Sequence, residues 1–176
     1  SSDSSADLGS GAMFDRIAYF YDSANNAMSL GFHLYWKYEL TQYMDIGIKD
    51  MILDIATGSG DIAIQMGHMI KNNPMYNSNA PTEGSKQPHI IGLDPSVNML
   101  AVAQDKVNRS GLEDIILLQT GTAEDLSAYK AQGTIFNKVT ISFGIRNFQN
   151  RTLSLTQIRK IMPLEDATAK IGILEF

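Results

Sequence analysis

A chain of 176 residues and 19.4 kDa can bury one good core and is too short for two full domains, and its 44% hydrophobic and 19% charged residues are those of a globular protein. Fourteen Lys and Arg against 19 Asp and Glu give a net charge of -5 with no basic run, which excludes the usual electrostatic footprint of a nucleic-acid binder. With Cys 0 there are no disulfides, thiolate nucleophiles or cysteine zinc sites, and no apolar stretch approaches the roughly 20 residues of a membrane helix.

Residues 1–12 are rich in Ser, Asp and Gly and read as a disordered tail or expression remnant. A single domain is expected over 13–176. Phe14, Ile17, Ala18 and Tyr21 recur at helical spacing, as do Leu34, Tyr38 and Met44 more loosely, with a break at Ser29-Leu30-Gly31. These N-terminal helices (13–45) carry a surplus of aromatics, among them Phe32, Tyr35, Trp36, Tyr38 and Tyr43. Such a stripe belongs either to the core or to a lid over an apolar ligand. His33, alone beside Trp36, reads as a packing or hydrogen-bonding residue in preference to a base.

Met51 to Ala56 is a short apolar run ending at a glycine turn, the mark of a buried parallel strand. A helix follows from Asp61 to Lys71, with Ile62, Ala63, Met66 and Ile70 on one face. Asn72 to Pro88 reads as a solvated insertion. Further strands are expected at His89–Asp94, Ile115–Gln119, Lys138–Phe143 and Ile171–Phe176. Helices lie between them: one capped by Ser96 that buries Met99, Leu100, Ala103 and Val107, another containing Leu153, Gln157, Ile158 and Ile161. This alternation predicts an α/β fold, a mainly parallel sheet with helices on both faces.

The sharpest local feature is Asp54-Ile-Ala-Thr57-Gly58-Ser59-Gly60-Asp61 at a strand-to-helix junction. Glycines there let backbone approach a ligand, and the helix start offers unpaired N–H groups. Gly58-x-Gly60-x-x-Ala63 also satisfies the dinucleotide fingerprint, so an NAD-dependent oxidoreductase is one alternative. Asp94 lies 94 - 60 = 34 residues beyond Gly60, and removing the 17 residues of the insertion leaves 34 - 17 = 17, close to the usual spacing of a ribose-binding carboxylate. Asp54 and Asp61 flank the place where a dinucleotide pyrophosphate would sit and would repel it. A ligand with an ammonium group, a sulfonium and a ribose suits them better, which points to S-adenosylmethionine.

Four segments resemble a known family: Met13-Phe-Asp-Arg-Ile-Ala with Tyr21-Asp22; Ser29-Leu-Gly-Phe-His33 with Trp36-Lys37; Leu53 to Asp61; and Thr140-Ile-Ser-Phe-Gly-Ile-Arg-Asn147. Ile173-Leu-Glu-Phe176 is similar to that family's fifth strand. The chain resembles the ubiquinone/menaquinone biosynthesis C-methyltransferases, S-adenosylmethionine-dependent enzymes of Rossmann-like class I fold. Donor binding by Asp54, Thr57, Gly58, Gly60, Asp94, Thr122, Ala123, Glu124 and Ser142 is what the resemblance and the loop imply together. Arg146 would stabilise a substrate oxyanion, Asn147 would orient the ring hydroxyl, and Tyr21 with Asp22 would help to close the pocket. No metal is implied.

The implied reaction is methylation of a ring carbon on a polyprenylated benzoquinol or naphthoquinol. In eukaryotes the family works peripherally on the mitochondrial inner membrane, matrix side, within a quinone-synthesis complex; in bacteria it is cytoplasmic or membrane-associated. A homodimer is compatible with the resemblance, and so is an inactive donor-binding scaffold subunit. The chain departs from the family at Thr122, where an Asp or Asn is usual, at Asn137, where an Asp is usual, and between Met162 and Lys170, where a Pro-Gly-Gly turn is expected. The related fold continues past the fifth strand with a helix and two strands, so the chain reads as truncated and is expected to bind donor better than it turns over quinol.

Overall fold

The computed structural model describes residues 32–78, 88–163 and 165–175. The N-terminal tail, the helix expected around Phe14 to Tyr21, the break at Ser29-Leu30-Gly31, Tyr21 and Asp22, and most of the insertion lie outside the described residues. Within them the order is α1 (Phe32–Met44), β1 (Ile52–Ile55), α2 (Asp61–Lys71), α3 (Pro74–Ser78), β2 (Ile90–Asp94), α4 (Val97–Ser110), β3 (Ile116–Thr120), α5 (Ser127–Ala131), β4 (Lys138–Ser142), a 3-10 turn at Ile145–Asn147, α6 (Arg151–Ile161) and β5 (Lys170–Leu174). All five expected strands and the long helices form within a residue or two of their anticipated bounds.

The sheet is wholly parallel, in the order β3-β2-β1-β4-β5. Its direction of winding reverses between β1 and β4, the switch point outside whose carboxyl ends α/β sheets bind ligands. Strand side chains alternate between two cores, as the two-residue period requires. Leu53, Ile55, Leu93, Val139 and Ile141 pack with α5 and α6 residues such as Tyr129, Ile158 and Ile161. On the opposite face Ile52, Ile90 and Ile116 meet Leu40 of α1, Met66 and Ile70 of α2, and Val107 of α4. Helices on both sheet faces follow directly.

Ser96 caps α4 by accepting from Met99 N–H at 3.3 Å, as its position before an apolar helix anticipates. Three details differ. The first residues of the insertion form the short helix α3, and a second short helix, α5, precedes β4. Met99, expected to be buried, is only half-buried. On α1 the buried residues are His33, Leu40, Thr41 and Met44, whereas Leu34 and Tyr38 are exposed. The aromatics of α1 are therefore not core: Phe32, Tyr35, Trp36, Tyr38 and Tyr43 all lie on the surface.

Two lysines dock the carboxyl end of α1 at the opposite end of the sheet from the glycine loop. Lys138, buried at the start of β4, donates to Met44 O at 2.9 Å, and its register partner Lys170 donates to Tyr43 O at 3.0 Å. Both satisfy terminal helix carbonyls with a positive charge, where the helix dipole favours one. Asn137, in the position of the family's usual Asp, accepts from Met51 N–H and donates to Asp50, so it fixes the start of β1.

Candidate donor and acceptor site

The segment after β1 turns sharply because three of its residues hold positive φ: Ala56 at 56°, Gly58 at 56° and Gly60 at 84°. At Gly60 a β-carbon would stand 3.0 Å from Ala103 Cβ on α4, so glycine there also permits close helix packing. Across the switch point, Phe143 after β4 also has positive φ, 54°, and a β-carbon on Gly144 would collide with Ala56 Cβ. Backbone strain thus gathers at the carboxyl ends of β1 and β4, where functional sites store it.

Asp94, at the end of β2, ties the loop down. Its Oδ2 accepts from Gly58 N–H at 2.8 Å and its Oδ1 from Ser96 N–H at 2.8 Å. A carboxylate has about four lone-pair positions, so both contacts leave it able to accept hydroxyls as well. Asp54 sits beneath the loop, buried, with Oδ2 accepting from Thr57 Oγ1 and Oδ1 from Thr140 Oγ1, both at 2.6 Å. Burial pushes its pKa up to about 6, and Asp94 adds to that, against the two hydroxyls and the Lys37 ammonium.

Asp61 corrects one step of the sequence argument. Its carboxylate does not stand open beside the loop: Lys37 of α1 donates to Oδ2 at 2.8 Å and Lys106 of α4 to Oδ1 at 3.1 Å. Burial raises its pKa, but the two ammonium groups outweigh that and hold it below the usual carboxylate value. The negative field at the loop therefore comes from Asp54 and Asp94. Lys37 and Lys106 carry chemistry that sequence reasoning did not assign, although Lys37 stood within the quoted Trp36-Lys37 pair. Val97, 65% exposed two residues after Pro95, is another surface it did not single out.

Thr122, Ala123 and Glu124 follow β3, beside Asp94, whose carbonyl accepts from Gly121 N–H at 3.1 Å. Ala123 is buried. Burial pushes the Glu124 pKa up, but hydrogen bonds from its own N–H, from the Asn150 and Gln149 N–H groups at 3.3 and 2.9 Å and from the Thr122 hydroxyl together outweigh it and hold the carboxyl below its usual value. Its observed contacts brace the start of α6. Ser142 ends β4, and its buried hydroxyl has no hydrogen-bond partner among the described residues. Such an atom at a switch point fits a ligand contact.

Arg146 and Asn147 lie in the exposed 3-10 turn after β4. Glu175, just past β5, accepts from Arg146 Nε at 2.8 Å, from Nη2, and from the backbone N–H at 3.3 Å. Arg151 donates to the Ile145 and Arg146 carbonyls, fixing the turn from its other side. Glu175 also escaped sequence reasoning; the signal available was a carboxylate at the end of a strand adjoining the one that leads to Arg146. His33 is buried, in agreement with a packing or hydrogen-bonding role. No group of three or more potential metal-binding side chains occurs among the described residues.

Residues 4–176 match the sequence profile described as the ubiE/COQ5 methyltransferase family. The demethylmenaquinone methyltransferase of Lactiplantibacillus plantarum is 33% identical over 150 residues, which are 85% of this chain and 56% of that one. The ubiquinone/menaquinone biosynthesis C-methyltransferase UbiE of Geotalea uraniireducens is 33% identical over 164 residues, 93% of this chain and 61% of that one. The chain thus spans somewhat more than half the length of these relatives. Among solved structures, a SAM-dependent methyltransferase from Aquifex aeolicus superposes with a TM-score of 0.51 at 15% identity, over 72% of this chain and 57% of its own. The [4+2]-cyclase SpnF superposes with 0.57 at 16%, over 78% and 44%. A cyclase in this company shows that the backbone alone does not choose the chemistry.

Proposed function

The chain belongs to the ubiE/COQ5 methyltransferase family, and from that premise we propose that it binds S-adenosylmethionine and directs its methyl group to a ring carbon of a polyprenylated benzoquinol or naphthoquinol. The observation that carries this is the 2.8 Å bond from Gly58 N–H to Asp94, which joins the glycine loop and a strand-end carboxylate 36 residues apart into one site. The buried Ser142 hydroxyl, without a hydrogen-bond partner among the described residues, supports the fit, because it lies at the carboxyl end of β4, beside the same switch point.

The donor supplies an electrophilic methyl group, and the protein's work is to position and to adjust charge. Asp94 would hold the ribose diol, with Thr122, Ala123 and Val97 around the adenine. Asp54 would face the donor's ammonium, and Ser142 would contact the donor across the loop. A ring carbon becomes nucleophilic when its neighbouring hydroxyl ionises. Arg146, fixed by Glu175 and Arg151, would stabilise that oxyanion, and Asn147 would orient the ring. Tyr21 is proposed to help close the pocket. The exposed aromatics of α1 offer apolar surface for the ring and tail.

The prenyl tail places the acceptor in a bilayer, and we place the protein at that surface. Among the described residues no helix is long and apolar enough to cross a membrane. The relatives named above are bacterial, which supports the cytoplasmic side in a bacterial source. In a eukaryotic source the same chemistry belongs to the matrix side of the mitochondrial inner membrane, within a quinone-synthesis complex. Mass spectrometry of the full chain incubated with donor and with each demethylated quinol class tests the proposal. A product heavier by one methyl on a ring carbon supports it. Donor binding without product for either class would instead fit the scaffold role.

A further inference from the structure

Lys37 reaches the donor loop from α1, an element that the donor-binding motifs do not include. Its ammonium donates to Asp61, the residue after Gly60, and its positive charge acts on the Asp54 carboxylate beneath the loop. The side chain is 18% exposed, so the charge is held largely away from bulk solvent. Among the described residues this is its one hydrogen bond, and an ammonium has three N–H donors to direct. Asp61 keeps a second ammonium, Lys106, on its other oxygen, and so remains paired when Lys37 takes a further acceptor.

A cation and an anion are thus both held at the loop: Lys37 on Asp61, just after it, and Asp54 at the strand end that leads into it. An α-amino acid end presents the complementary pair, a carboxylate and an ammonium on one carbon. We propose that Lys37 is the counter-ion for the α-carboxylate of the donor's methionine moiety, held in place by Asp61, whose other oxygen Lys106 engages. This rests on the methyltransferase reading, and it makes α1 part of the donor pocket. Lys37 is then a specificity residue: it selects donors that keep their carboxylate.

Two ligands that differ only in that group test it. Calorimetry with S-adenosylhomocysteine and with its decarboxylated homologue, S-adenosyl-3-thiopropylamine, is compared for the wild-type chain, Lys37→Met and Lys37→Arg. A charge-assisted hydrogen bond to a carboxylate predicts that Lys37→Met weakens S-adenosylhomocysteine by about tenfold or more and the decarboxylated ligand by no more than about twofold. Lys37→Arg should recover most of the loss. Equal weakening of both ligands by Lys37→Met would mean a structural role and overturn the assignment, as would unchanged affinity for S-adenosylhomocysteine. Failure of the wild-type chain to bind S-adenosylhomocysteine at all would sink the methyltransferase reading first, and is read before any variant is compared.

Discussion

Asp94 accepts two backbone N–H groups while remaining able to accept further hydroxyls, so one carboxylate sets the loop and, in the proposed site, would also hold the ribose. Asp94→Ala is expected to abolish S-adenosylhomocysteine binding by calorimetry, and unchanged affinity would remove the ribose assignment. Asp54 carries a pH signature. Its pKa is raised from 3.8 to about 6, so the folded state holds a proton that the unfolded chain releases first. The associated stability is present below about pH 4 and is lost as pH rises through about 6. The difference amounts to about 3 kcal/mol. Asp54→Asn, with no charge to bury, should lose that slope, so urea midpoints between pH 4 and 7 should fall in the wild type relative to the variant. Parallel profiles would contradict the burial argument. For Arg146→Ala, donor binding should persist while methyl transfer falls by about a hundredfold or more, in the range of a lost oxyanion donor. A variant with wild-type turnover on a quinol would take Arg146 out of the mechanism.

At the level of elements, the loops after β1 and β4 are locked together. Ala56 and Gly144 approach so closely that only one of the two positions tolerates a side chain. Gly144→Ala should therefore destabilise the fold by about 1–3 kcal/mol through overpacking. Adding Ala56→Gly, which removes the opposing methyl group and relieves the positive φ, should recover much of it in a double-mutant cycle of urea unfolding. Strictly additive losses would show that the two loops are not coupled. The strands and long helices were legible because buried parallel strands are continuous apolar runs and α2 shows a clean stripe at Ile62, Ala63, Met66 and Ile70. The face of α1 was not legible. Its few buried residues include His33 and Thr41, and a surface rich in Phe, Tyr and Trp has the composition of a core.

Across the whole molecule, the ends of β1, β2, β3 and β4 converge on one side of a parallel sheet and bring the glycine loop, Asp94, Ala123 and Ser142 to a common edge. That convergence was foreseeable, since a βαβ alternation fixes which strand ends carry the loops. What spacing does not reveal is the partner of each charge. Asp61 appeared to oppose an anion, yet it is bound to Lys37 and Lys106, residues 24 and 45 positions away in the chain. Arg146 is likewise set by Glu175, 29 positions on. Long-range ion pairs follow from how helices pack, and no local pattern encodes them. The central claim is that this convergence binds a sulfonium donor and not a dinucleotide. Thermal unfolding with S-adenosylhomocysteine and with NAD, side by side, tests it most directly, because a ligand that binds the folded state raises its apparent stability. The account predicts a saturable rise in Tm with S-adenosylhomocysteine and none with NAD; a rise with NAD alone would contradict it.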